Sequence, residues 1–226
     1  MTIMKQNFQR ARSTEAKEQR EVAILKAARA LAASHGVRQI TLTDIADAVG
    51  MHKSALLRYF ETREQIFLVL TADGWSEWSS ALRKELAQLM EVSPTNVAAA
   101  FAKTLTARHM FCDLLAQAPL NLERNVSLDA VRAFKLIALS EVKLIGSELK
   151  RRLGLSSRQA ADTVATATSM AGALWQMATP GPQVMALYRS EPELAHAIVD
   201  VEPRLTRILE GLITGYLTEK AKRMQF

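Results

Sequence analysis

The sequence predicts an all-α fold: an N-terminal three-helix head with a helix-turn-helix, joined by a long connector helix to a larger α-helical domain. Three observations predict it. Apolar residues recur at three- and four-residue spacing along most of the chain, and no stretch alternates with the period of two that a strand requires. Helix starts and stops punctuate these stripes, with Thr41, Thr62 and Ser93-Pro94 at starts and Gly36, Gly50 and Gly154 at ends. Finally, Ala46 and Gly50, four apart, suit a tight corner between two short helices: the alanine admits a close neighbour and the glycine takes a left-handed backbone at no steric cost.

Residues 1–16 are polar and basic with no apolar stripe, and read as a flexible basic arm. Such an arm either reaches DNA, in the minor groove or at phosphates, or has no role. The head occupies 17–63. From Lys17 to His35 the residues Leu25, Ala28, Leu31 and Ala32 repeat at helical spacing, and Gly36 ends that helix as a left-handed cap. Val37 and Ile40 then carry the chain, extended, to Thr41. Thr41 and Asp44 fit a capping box, so a helix begins near Leu42 and turns Ile45 and Val49 inward. After Gly50 the second helix runs from His52 to Phe60, burying Leu56 and Phe60 and leaving Lys53, Ser54, Leu57 and Arg58 outside.

Residues 64–226 form the second domain. Thr62 caps the connector and Arg63 sits in its first turn, where free backbone N–H groups favour an anion such as phosphate. Ile66 to Leu70 packs on the head, and Trp75, Trp78, Leu82, Leu86 and Leu89 extend the stripe until Ser93-Pro94. Helices follow over Val97–Ala107 and Met110–Gln117, the latter stopped by Pro119. The next, Ser127–Leu153, closes on Lys150-Arg151-Arg152 and Gly154. A helix capped by Ser156 or Ser157 and ending near Ala178 is crowded with small residues. The last, from Pro203 to about Lys222, has an apolar face wide enough for more than one neighbour.

The formal charge of +6 is concentrated. Through Arg63 there are eleven basic and six acidic residues, whereas the remainder holds eighteen and seventeen. A surface that binds a polyanion needs this asymmetry, because neutralising phosphates releases counterions. A solvated basic surface without a role is the plain alternative. Cys112 is the single cysteine, which excludes an intrachain disulfide and, with no apolar leader at the N-terminus, points to a reducing, cytoplasmic setting. Thr163 to Tyr188 carries no charge, yet its Thr and Gln content and Pro180-Gly181-Pro182 argue against a membrane span. The histidines lack metal-ligand spacing and no glycine-rich phosphate loop is present, so no metal or cofactor is expected. As an enzyme, the best pair is His109 with Cys112, three apart on one helix face but without an orienting partner. No enzymatic activity is expected.

Thr41 to Arg63 resembles the recognition motif of the TetR family of transcriptional regulators. The pattern I-A-x-x-V-G at Ile45 to Gly50, then Leu56, Tyr59-Phe60 and the following T-R-E, falls in register. Further on, F-C-D-L-L near Phe111 and L-E-R-N-V-S near Leu122 resemble the C-terminal domain of one subgroup. The resemblance implies double-stranded DNA as partner, contacted by Thr43, His52, Lys53, Ser54, Ala55, Leu57, Arg58, Tyr59 and Arg63. Lys53 and Arg63 suit phosphates, Arg58 suits a guanine edge, and Ala55 or Leu57 a thymine methyl. For Leu57 and Tyr59 the alternative is packing on the head's own core, which Tyr59 suits equally well. Ser54-Ala55 stand where the family often has Gly-Thr, and Leu57, Arg58 and Tyr59 where aromatic or histidine residues are common. The groove carries over; the operator does not.

The resemblance also implies a small-molecule effector held in the C-terminal domain. Trp75, Trp78, Phe101 and Met110 are candidate lining residues, with Phe111, Phe134, Trp175 and Met177, although each taken singly is better read as plain core. Asn121, Glu123, Arg124 and Asn125 either select a ligand or cap helices. A short recognition helix reads few bases, so a homodimer through the two C-terminal helices is expected, bound to a palindrome as a ligand-responsive repressor. A sequence-indifferent architectural DNA binder is the alternative.

Overall fold

The computed structural model describes the backbone of residues 2–223 and the side chains of residues 15–219. The described chain is helical with no strand, as the periodicity predicts. The helices are α1 (Thr2–His35), α2 (Leu42–Ala48), α3 (Lys53–Leu56), α4 (Arg63–Gln88), α5 (Pro94–Thr106), α6 (His109–Gln117), α7 (Leu128–Leu153), α8 (Ser157–Ala178), α9 (Pro182–Ser190) and α10 (Val201–Arg223). Short 3-10 turns at Val37–Gln39, Leu122–Asn125 and Pro192–Ala197 link them.

Most of these follow from local chemistry. Ser93 accepts from the Asn96 N–H at 3.2 Å and Pro94 opens α5, where a missing N–H costs nothing. Ser156 and Gln159 form a capping box at the start of α8. Gly154 ends α7 at φ 67°, ψ 26°, in the left-handed region.

Several features differ from the expectation, among them Val37–Gln39, which forms a 3-10 turn where extended chain is expected. Helix α1 begins at Thr2, not near Lys17; no glycine or proline interrupts residues 2–16, so the backbone continues as helix. The arm's side chains through residue 14, and any reach to DNA, lie outside the described residues. Gly36 has positive φ but ψ 150°, so it turns the chain in a glycine-only extended conformation rather than the left-handed helical one. Helix α9 and the 3-10 turn after it fall where no apolar stripe is evident, and they bury no residue.

The head packs Ile24, Ala28 and Ala32 of α1 with Val37, Ile40, Ile45, Leu56 and Phe60. In the body, α4 lies between α5 and α7, α6 packs on α8, and α10 packs on α5 and α8. The starts of α4 and α7 are pinned together: Thr62 Oγ1 donates to Asn125 O at 3.1 Å, and Ser127 N donates to Glu61 Oε1 at 2.7 Å. Ser76 donates to Glu141 midway along both helices, so the two run parallel. Gly172 lets α8 approach α6 closely, since a Cβ there would stand 2.9 Å from Ala116 N.

Candidate nucleic-acid interface

The helix-turn-helix is built as its sequence suggests. Asp44 N donates to Thr41 Oγ1 at 3.2 Å, and Thr41 N donates to Asp44 Oδ2 at 2.7 Å, completing the capping box. The Thr41 hydroxyl first, and its backbone N–H second, hold the Asp44 carboxyl below the usual carboxylate range. At the corner Gly50 adopts φ 66°. Met51 N donates to Ala46 O at 2.9 Å and Gly50 N to Asp47 O at 3.1 Å, the paired bonds of a Schellman motif. This corner sets the angle at which α3 leaves α2.

The second helix is shorter than expected. Regular α-helix covers Lys53–Leu56, after which Arg58 N donates to Ala55 O and Tyr59 N to Leu56 O, at 3.2 and 2.9 Å. These are 3-10-type bonds, which tighten a last turn. The tightening delivers Phe60 into the core and lets Thr62 cap α4 at once; the Thr62 hydroxyl accepts from Gln65 N at 3.1 Å.

Of the nine expected contact residues, six are exposed: Thr43, His52, Lys53, Ser54, Leu57 and Arg58. Leu57 is 45% exposed, so its core reading fails and it stays on the outer face. Ala55 is half-buried, and Tyr59 packs partly on the core.

Arg63 departs from its expected role. Its side chain is 15% exposed, its guanidinium donates to Ile40 O and Val37 O, pairs with Glu64 at 2.9 Å and lies 4.7 Å from the Phe67 ring centroid. All its donors point inward because α4 starts beside the Val37–Ile40 segment. It ties the connector to the head.

The aromatic candidates for an effector pocket are mostly core. Trp75 and Trp78 meet edge-to-face at 5.5 Å, Trp75 and Phe111 at 5.9 Å, and Trp78 and Phe101 at 5.9 Å. Trp78 also donates to Thr104 Oγ1 at 3.1 Å, so these rings fill the body rather than line a space. Phe134 is buried and Met177 is half exposed. Only Met110 and Trp175 of the eight border an open cleft, which lies between head and body. Among the polar candidates, Asn125 Nδ2 donates to Asn121 O at 2.8 Å, Arg124 Nε donates to Pro119 O at 3.2 Å, and Glu123 pairs with Lys135, all local ties.

Sequence reasoning missed the link that crosses that cleft. Asp113 accepts from Val37 N at 3.1 Å and from Gln176 Nε2 at 2.7 Å, joining the head to α6 and α8. No local pattern announces partners so far apart in the chain. Cys112 is buried, donates to Leu105 O at 3.3 Å, and burial pushes its thiol up to about 12. A thiol held protonated is no nucleophile, and His109 stacks on Trp175 instead of serving it. Among the described residues no group of three His, Cys, Asp or Glu side chains suits a metal, and no helix is long and apolar enough to cross a membrane.

A capped helix, a glycine corner and an exposed basic helix face, carried on an all-helical body, define the helix-turn-helix class of DNA-binding proteins. Residues 24–70 match the family described as bacterial regulatory proteins, tetR family, and residues 72–220 match the tetracyclin repressor-like C-terminal domain. The chain belongs to the TetR family of DNA-binding transcriptional regulators. No curated protein matches it in sequence. Solved structures share the fold. The fatty acid degradation regulator FadR from Bacillus halodurans is 16% identical, with a TM-score of 0.53 over 87% of this chain and 94% of that one. FadR from Thermus thermophilus, solved with lauroyl-CoA, is 22% identical, with a TM-score of 0.53 over 84% and 92%.

Proposed function

We propose that this regulator is a sequence-specific, ligand-responsive repressor that binds a palindromic operator as a homodimer. The exposed face of α3 and its flanks carries the reading: Lys53 and Ser54 on α3, His52 before it, and Leu57 and Arg58 in the turn after it stand free of the head's core, placed by the Gly50 corner. Lys53 engages phosphate, Arg58 a guanine edge and Leu57 a thymine methyl; Thr43, Ala55 and Tyr59 flank them. Arg63 positions this face from behind.

Pairing through α8 and α10 has support of its own. The apolar side of α10 is spent on α5 and α8, with Leu205, Leu209 and Ile213 buried. On its outer side Gly211 and Gly215, four apart, face open space, where an added Cβ would meet nothing. Glycine weakens a helix by about 1 kcal/mol relative to alanine, so two with no intrachain reason suit the close approach of a second copy. Exposed Ala161, Ala165 and Ser169 give α8 a similarly small outer face.

Two of the similar structures are FadR regulators solved with lauroyl-CoA and stearoyl-CoA, and a small-molecule effector of this chain is inferred by analogy. Its binding shifts the population toward a head spacing that no longer matches successive major-groove faces. Footprinting across the DNA flanking its own gene tests the reading, with random DNA as competitor. Protection of a palindrome that random DNA displaces only in large excess is expected. A specificity ratio near one would leave the architectural alternative instead.

A further inference from the structure

Between the head and the body lies an open cleft of about 570 Å³, within the ~300–1,000 Å³ typical of small-molecule sites. The end of α1 and the turn after it form one wall, with Ala33, Arg38 and Gln39; α6 and the end of α8 form the other, with His109, Met110 and Trp175. The chemistry of the walls selects an occupant. His109 and Trp175 stack with centroids 4.6 Å apart at 23°, and both rings line the cleft. Arg38 is exposed, and among the described residues its guanidinium has no hydrogen bond or ion pair. The lining's one carboxylate, Asp113, is already committed to Val37 N and Gln176 Nε2. The free charge of the lining is therefore a planar cation in a cleft that aromatic rings also line, which is complementary to a flat anion.

We propose that this cleft binds a small aromatic carboxylate, its ring against the His109–Trp175 pair and its carboxylate on Arg38. Touching both walls, the occupant favours the arrangement in which Asp113 holds Val37. Val37 is buried at the start of the segment that leads into the Thr41 cap, so holding it fixes the entry to the helix-turn-helix. The site deepens the repressor reading by naming an effector class and a place for it. Its binding step does not depend on DNA.

The probe is 2-naphthoate, titrated calorimetrically into the full chain, with hydrogen exchange followed over residues 33–40. Saturable binding and slower exchange of the Val37 amide are expected. Arg38→Gln and the neutral analogue 2-naphthamide should each weaken binding about tenfold by removing one partner of a charge-assisted pair. Ala33→Phe, which fills the cleft from an exposed position, should abolish it while circular dichroism stays unchanged. Absence of naphthoate binding, or binding undiminished in both variants, overturns the site. A footprinting titration without naphthoate runs in parallel: a protected operator with no naphthoate binding sinks the site alone, and naphthoate binding with indiscriminate DNA binding sinks the repressor reading alone.

Discussion

Arg58 and Arg63 carry the same charge five residues apart and are placed oppositely. Arg58 is exposed beyond the last regular turn of α3, whereas Arg63 turns inward to the carbonyls of Val37 and Ile40. Arg58→Ala should cost about 1–3 kcal/mol on the cognate operator and relax its specificity, while Lys53→Ala weakens all sequences alike and lowers the salt slope. Binding titrations at several salt concentrations separate the two, and an unchanged titration for Arg58→Ala would mean that the reading face lies elsewhere. Arg63→Met keeps an unbranched aliphatic stem but removes the guanidinium over Phe67 and strands two carbonyls. It should destabilise the head by about 1–3 kcal/mol in urea unfolding. A variant as stable as the parent yet weaker on DNA would return Arg63 to a phosphate role.

At the scale of elements, the helices are placed by a few close approaches. Gly172 sits where α8 crosses α6, and the atom an added Cβ would meet is the backbone nitrogen of Ala116 at 2.9 Å, which cannot rotate aside. Gly172→Ala should therefore lower stability by about 1–3 kcal/mol although alanine is the better helix former, because overpacking outweighs the propensity gain. Thermal unfolding of the pair decides it, and a higher midpoint for the alanine variant would show that α6 yields freely. Sequence reasoning overstated the length of α3. Its stripe runs on to Phe60, and periodicity cannot tell α from 3-10 over a single turn. What shortens it is the demand to bury Phe60 and start α4 within two residues, a condition set by the connector rather than by the helix.

For the whole molecule the open question is what covers α10. Gly211→Leu adds a side chain where this chain leaves open space, so the monomer's helical content should be unaffected. At a close interface the same side chain should dissociate the dimer, giving the monomer's mass by sedimentation at micromolar concentration. Sedimentation as a dimer would place the interface on another face, and a parent that is itself monomeric would end the pairing model.

The sequence by itself determined the helical class, the starts and ends of most helices, the Thr41 cap, the Gly50 corner and the basic outer face of α3. Each of those rests on residues within about four positions of one another, where a helix brings side chains together whatever surrounds it. The tertiary structure alone decided that Arg63 faces inward, that Trp75, Trp78, Phe101 and Phe111 fill one another's space, and that Asp113 joins Val37 to Gln176. Apart from Trp75 with Trp78, three apart on α4, those contacts join residues far apart in the chain. Their partners depend on how the helices pack, and local spacing carries no record of it.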